Sequence, residues 1–193
     1  MKLNGFYGIA DSGFGPVLPQ VSLLLKGGVT ALQLRCKSTT ISDIERIAQA
    51  AWPLCKAAHV PLLLNDFCLP HCADGVHLGQ DDGSFNRQDL PAGFLVGRST
   101  HSLDQITQAI AEGADYVGLG PIFPTGTKAN LSPTVGLETL AQAVKLPIPI
   151  VAIGGIQLDH IPALKAHGCT AWTAISAIWD TPNPLTTIQH FGA

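Results

Sequence analysis

Asp115-Tyr116-Val117-Gly118-Leu119-Gly120-Pro121-Ile122-Phe123-Pro124-Thr125-Gly126-Thr127-Lys128 starts as an apolar run and ends in glycine, proline, two hydroxyls and a cation. The first half, residues 116–119, has the length and continuity of a strand covered on both faces. The second half carries donors. Glycine exposes backbone N–H groups, Thr125 and Thr127 offer hydroxyls, and Lys128 adds a point charge. Such a set holds phosphate or pyrophosphate. An ordinary polar turn uses some of the same residues, so the rest of the chain must decide.

The same unit, a short apolar run followed by a polar loop, recurs along the chain. Runs of this kind occupy residues 6–10, 31–35, 61–65, 75–78, 94–97, 116–119, 148–153 and 171–175. Helical periodicity occupies 41–59, 102–112, 137–144 and 158–167. Thr40 or Ser42 can cap the first of these, Ser102 the second, and Gly168 stops the last. The connection 65–74 is short and holds Pro70, leaving room for one or two helical turns, and the piece after Leu78 is irregular. Eight strands interleaved with helices predict an α/β fold, a (β/α)8 TIM barrel formed as one domain over residues 1–193. A doubly wound open sheet is the alternative.

Bulk properties narrow the function. The chain has 193 residues, 46% hydrophobic and only 13% charged, with a net charge of −3 and no basic run. Nucleic acid and anionic membranes are poor partners for such a surface. The start, Met1-Lys2-Leu3-Asn4-Gly5, leads straight into the first strand, and no apolar run is long enough to span a bilayer. Five cysteines are an odd number in a well-cored chain, so a reducing cytoplasm is the predicted location. The group Cys68, His71 and Cys72 lacks a usual zinc spacing and reads as packing on a short helix or turn. Homo-oligomerisation is left open.

In a barrel, the C-terminal ends of the strands converge on one mouth. Those ends carry Asp11; Gln33, Arg35 and Lys37; Asn65 and Asp66; Gly79, Asp81 and Asp82; Ser99 and His101; the Thr125–Lys128 loop; Gly154 and Gly155; and Ser176. Arg35 and Lys37, two apart, point the same way from an extended chain and can reach one polyanion. Asp66 and Asp82 can hold Mg²⁺, which takes oxygen ligands and shares them with phosphate, although a capping aspartate is the plainer reading of Asp82. Asn65 can give its amide to a heterocycle or a phosphate. Ile153-Gly154-Gly155 can turn N–H groups to a single phosphate. His101 reads as a proton donor or a hydrogen-bonding frame, and His77, on the strand itself, as structural. No nucleophile–base–acid triad and no Rossmann or Walker fingerprint is present. Such a set suits displacement of pyrophosphate, chemistry that rests on positioning and charge stabilisation.

These residues also carry a resemblance. The segments 33–37, 65–66, 73–82, 99–101, 113–128 and 153–156 occur in the order found in the thiamine phosphate synthase and thiazole tautomerase superfamily, and the likeness runs from residue 7 to about 178. The resemblance implies a transferase of thiamine biosynthesis. It would join hydroxymethylpyrimidine diphosphate to thiazole phosphate, giving thiamine phosphate and pyrophosphate. It implies that Gln33, Arg35, Lys37, Asn65 and Lys128 bind the pyrimidine diphosphate, and that Asp66 and Asp82 bind Mg²⁺. Ser99 would lie near the pyrophosphate. Thr125, Thr127 and the backbone around Gly155, Ile175 and Ser176 would bind the thiazole phosphate. The family usually has Glu where this chain has Cys36, synthases commonly have a small or apolar residue where it has Arg98, and its 66–74 segment is short. A tautomerase-like isomerase and a non-catalytic barrel that binds thiazole or thiamine phosphates are the alternatives.

Overall fold

The computed structural model describes residues 3–80, 82–125 and 133–193. All eight apolar runs become strands: β1 (Gly5–Asp11), β2 (Ala31–Arg35), β3 (Leu62–Asn65), β4 (Gly75–Leu78), β5 (Leu95–Thr100), β6 (Tyr116–Leu119), β7 (Ile150–Ala152) and β8 (Ala171–Trp172). Each pairs in parallel with the next, and β8 returns to β1 through Gly5↔Ala171 and Phe6↔Trp172, closing the barrel. The open-sheet alternative is thereby excluded. β7 is shorter than its apolar run because Pro147 and Pro149 have no N–H to give to a ladder. The Pro149 carbonyl still accepts from Val117 at 3.0 Å.

Helices cover the outside: α1 (Val17–Gly27), α2 (Ile41–Ala57), α3 (Leu103–Ala111), α4 (Gly136–Ala143), α5 (Ile161–Ala166), α6 (Ser176–Trp179) and α7 (Pro184–Gly192). Thr40 and Ser102 cap α2 and α3 by accepting from Asp43 and Gln105. The sequence reading places no helix before β2, yet α1 stands there. Its buried residues, Val17, Gln20, Val21 and Leu24, follow helical spacing. Pro16 and Pro19 look like breakers but fall at the cap and in the first turn, where an N–H has no partner to lose. α6 and α7 are likewise additions.

The helix expected between β3 and β4 is absent among the described residues. Residues 66–74 form turns and bends. Instead, Cys72 and Ala73 are buried in the layer between strands and helices, with Phe67 and Leu69 packed against it. Cys68 is exposed, and His71 pairs with Glu45 at 2.7 Å. After β4, a single turn of 3-10 helix, Arg87–Asp89, appears among the described residues. There Phe85, Leu90 and Phe94 pack over Val76, Leu78 and Val96, doing the work of a helix.

Side-chain alternation separates two cores. Leu32, Leu34, Leu62, Leu64, Val117 and Leu119 face the helices. Tyr7, Ile9, Ala31, Leu63, Tyr116 and Val151 fill the barrel interior. Gly97 stands opposite Tyr116 in the β5–β6 ladder, and a Cβ on it would lie 2.2 Å from the ring carbon Cζ. Glycine is therefore required by the tyrosine. Gly97→Ala is predicted to destabilise the protein by about 3 kcal/mol through overpacking. Urea unfolding measures this, and an unchanged midpoint would contradict the packing described.

Candidate active site

The inward-facing residues near the C-terminal ends of the strands line a cavity of about 420 Å³. Gln33, Arg35 and Lys37 enter it from β2 and the residues just beyond. Asn65 and Asp66 come from the end of β3, and Gly79 and Asp82 from the loop after β4. Ser99 and His101 come from β5 and its loop, and Thr125 from the loop after β6. Gly155, Ile175 and Ser176 complete the wall. Thus twelve of the fourteen residues singled out in the sequence meet at one mouth. Thr127 and Lys128 lie outside the described residues.

The charges of the mouth are paired. Arg35 Nη1 donates to Asp11 Oδ2 at 2.6 Å. Asp11 is 2% exposed, and its other carboxylate oxygen accepts from Gly13 N–H at 2.8 Å. Gln20, on α1, clamps the Asp11 backbone in both directions, accepting from its N–H at 2.8 Å and donating to its carbonyl at 2.9 Å. The guanidinium is therefore aimed by a buried carboxylate fixed to the first helix. Asp11 and Gln20 were given no role from the sequence, because nothing local marks a pairing 24 residues apart. Lys37 Nζ donates to Asp66 Oδ2 at 2.6 Å, and Gln33 Nε2 to Asn65 Oδ1 at 3.4 Å. Asp66 sits at φ 67°, a left-handed conformation uncommon for a residue with a Cβ. The short β3–β4 connection thus leaves Asp66 in the mouth. Asp82 Oδ2 accepts from Gly79 N–H at 2.5 Å, so Asp82 closes its own turn and caps no helix.

The loop after β6 is tied down at both described ends. Ile122 and Phe123 N–H donate to Ile153 and Gly154 carbonyls at 2.9 and 3.0 Å, and Val135 N–H donates to Pro121 O at 2.7 Å. Gly155 adopts φ 66°, and a Cβ there would lie 2.4 Å from the Pro124 carbonyl oxygen. Only glycine satisfies both conditions. The two glycine-bearing turns are therefore one packed unit. His101 Nδ1 contacts the Gly120 carbonyl, which favours the framing role over proton donation from that nitrogen. Thr173, missed in the sequence, lines the cavity with a buried hydroxyl that has no hydrogen-bond partner among the described residues.

Two departures from the family pattern point elsewhere. Cys36 is 7% exposed and belongs to the layer between strands and helices, since it alternates with Arg35 and Lys37. Burial, then the nearby Asp11 charge, raises its thiol pKa. Arg98 also turns away from the cavity: Nη1 donates to Gly79 O at 2.9 Å, and Nη2 lies 3.4 Å from Glu112. It ties the β4 loop to the end of α3.

Eight parallel strands bring cations, carboxylates and glycine-bearing turns to one C-terminal mouth, the place where barrel enzymes carry their sites. The model of the thiamine monophosphate synthase family matches residues 6–178, and the chain belongs to that family. A thiamine-phosphate synthase of Chlorobium luteolum is 38% identical over 182 residues, covering 91% of this chain and 85% of that one. One from Methanospirillum hungatei is 36% identical over 197 residues, covering 97% and 95%. The solved thiamine phosphate pyrophosphorylase of Pyrococcus furiosus superposes with TM-score 0.87 at 29% identity, covering 97% and 93%.

Thiol chemistry tests the orientation of Cys36. At pH 8, Cys68 should react first with an alkylating reagent, and Cys36 only on unfolding. Peptide mapping locates the label, and early modification of Cys36 would show that it faces the mouth.

Proposed function

We infer that the chain is a thiamine-phosphate synthase, a transferase that joins hydroxymethylpyrimidine diphosphate to thiazole phosphate and releases pyrophosphate. The observation that carries this reading is the gathering of Arg35, Lys37, Asp66, Asp82 and Ser99 on one cavity, in a chain whose family match covers residues 6–178. The thiamine-phosphate synthases of C. luteolum and M. hungatei support it. The barrel acts as one domain on small molecules. No helix among the described residues is long and apolar enough to cross a membrane, and we propose a cytoplasmic location.

In this reading Arg35 and Lys37 bind the diphosphate, with Lys128 closing from the β6 loop. Ser99 donates to a diphosphate oxygen. Gln33 and Asn65, already in contact, face the pyrimidine with amide groups. Thr125, Thr127 and the N–H groups around Gly155, Ile175 and Ser176 hold the thiazole phosphate. Asp66 and Asp82 are hard oxygen donors that suit Mg²⁺, which accepts one or two carboxylates and leaves room for phosphate oxygens. When bound, the metal would neutralise charge on the diphosphate. The bond from the pyrimidine methylene carbon to oxygen breaks, and its electron pair leaves with pyrophosphate. The electron-rich aminopyrimidine stabilises the resulting methylene cation. The thiazole nitrogen then supplies the pair for the new C–N bond. The protein's share is to aim the two substrates and stabilise the departing charge.

The alternatives lose their motives here. The isomerase was suggested by Arg98, and that side chain turns away from the cavity to Gly79 and Glu112, while Cys36 supplies no acid. A non-catalytic barrel was suggested by Cys36 and the short β3–β4 segment, yet Cys36 faces the helices and Asn65 and Asp66 still reach the cavity.

Mixing the protein with both substrates and Mg²⁺ should release pyrophosphate. A folded protein with no turnover would refute the reading. Lys128→Ala should cost about one hundredfold or more in kcat, ~3 kcal/mol. Unchanged kinetics would show that the loop cation has no part in the reaction.

A further inference from the structure

A row of buried polar groups lies in the barrel interior along the floor of the cavity, and all four of its residues line it. Tyr7 Oη lies 2.9 Å from Tyr116 Oη. Tyr116 Oη lies 2.9 Å from His77 Nδ1, and His77 Nε2 lies 3.0 Å from Ser99 Oγ. The four residues come from β1, β6, β4 and β5. Nothing in the site described above requires two phenols and an imidazole in a position that Leu or Val could fill. Buried polar side chains of this kind are costly unless their hydrogen bonds are satisfied.

The backbone is adapted to the row. Gly97 leaves the space that the Tyr116 ring enters, a Cβ there lying 2.4 Å from the Tyr116 hydroxyl oxygen. Burial raises the pKa of both tyrosines, so both stay protonated at neutral pH.

The direction of donation follows from the far end. Tyr7 lines the deepest part of the cavity yet is only 2% exposed, and among the described residues Tyr116 is the hydrogen-bond partner of its hydroxyl. A buried hydroxyl proton needs an acceptor. Tyr7 therefore donates to Tyr116, whose own proton goes to His77 Nδ1. That nitrogen then carries no proton, which places the imidazole proton on Nε2, where it is given to Ser99 Oγ. Ser99 has accepted one bond and keeps its own proton for the cavity.

We propose that Tyr7, Tyr116 and His77 are positioning residues that fix Ser99 as a hydrogen-bond donor to the leaving diphosphate. This rests on the reading of Ser99 given above. Reversal of the row would turn Ser99 into an acceptor facing an anion, a repulsive arrangement. The tautomer of His77 is thus the switch between a useful and a useless serine.

The test has two parts. Long-range ¹H–¹⁵N correlations of the histidine rings, assigned with His77→Gln, report the tautomer in the free protein. The expected result is the Nε2–H form in the wild type and loss of that preference in Tyr116→Phe, which removes one oxygen and leaves the ring. An Nδ1–H form in the wild type would overturn the proposal. Kinetics of Ser99→Ala, Tyr116→Phe and the double variant supply the second part. Ser99→Ala should lower kcat about one hundredfold, as for removal of one preorganised donor. Tyr116→Phe should lower kcat about tenfold at unchanged KM, as for loss of an outer orienting group. The double variant should match Ser99→Ala alone. Losses that multiply would mean that Tyr116 acts elsewhere, and would overturn the proposal. A protein without synthase turnover would remove the function inferred for the site, while the ring measurement would still decide the direction of the row.

Discussion

The closed ring of parallel strands, with its side chains alternating in and out, is the constraint on which the rest depends. β2 shows it most plainly. Leu32, Leu34 and Cys36 go to the helices, while Gln33, Arg35 and Lys37 go to the interior and mouth. A slip of one residue would exchange the two sets, burying cations against α2 and putting leucines in the cavity. The β1–β2 pairing from Tyr7↔Ala31 to Asp11↔Arg35 prevents this and sets the carboxylate beside the guanidinium. Closure through β8 then brings Thr173, Ile175 and Ser176 to the same cavity as Asp11.

Within that ring the mouth is built from fixed partners. Arg35 is held by a buried aspartate, which is held by Gln20 of α1. Ser99 is backed by His77, which is backed by two tyrosines. The β6 and β7 loops are laced by backbone bonds and by Gly155. Preorganisation of this kind suits a reaction whose difficulty is a departing charge, because donors already in place need no rearrangement when the charge develops. Lys37 and Asp66 are the more exposed pair. Surface pairs of this sort are worth little by themselves, so either partner can exchange for a ligand at small cost.

The sequence made the strands legible because each is a short apolar run that ends in polar residues. It made most of the mouth legible because strand ends in a barrel must converge. What it concealed had physical causes. α1 was hidden by Pro16 and Pro19, which break a helix only in its interior. The missing β3–β4 helix was replaced by Cys72 and Ala73, small apolar side chains that carry no periodic signal. Asp11 and Thr173 act through the closed ring rather than through local spacing. His77 read as structural, and it is buried in a network; only the long-range contacts with Tyr116 and Ser99 show where that network leads. Cys36 looked like a defect in a site motif until alternation placed it on the other side of the strand.

The central claim is that one mouth receives the departing diphosphate. A crystal structure of the protein with pyrophosphate and Mg²⁺ tests it most directly. The account predicts pyrophosphate at the C-terminal mouth, touching Arg35, Lys37 and Ser99 and close to the Asp66 and Asp82 carboxylates that would hold the metal. Pyrophosphate bound at another face, or a mouth that takes up none at saturating concentration, would contradict it.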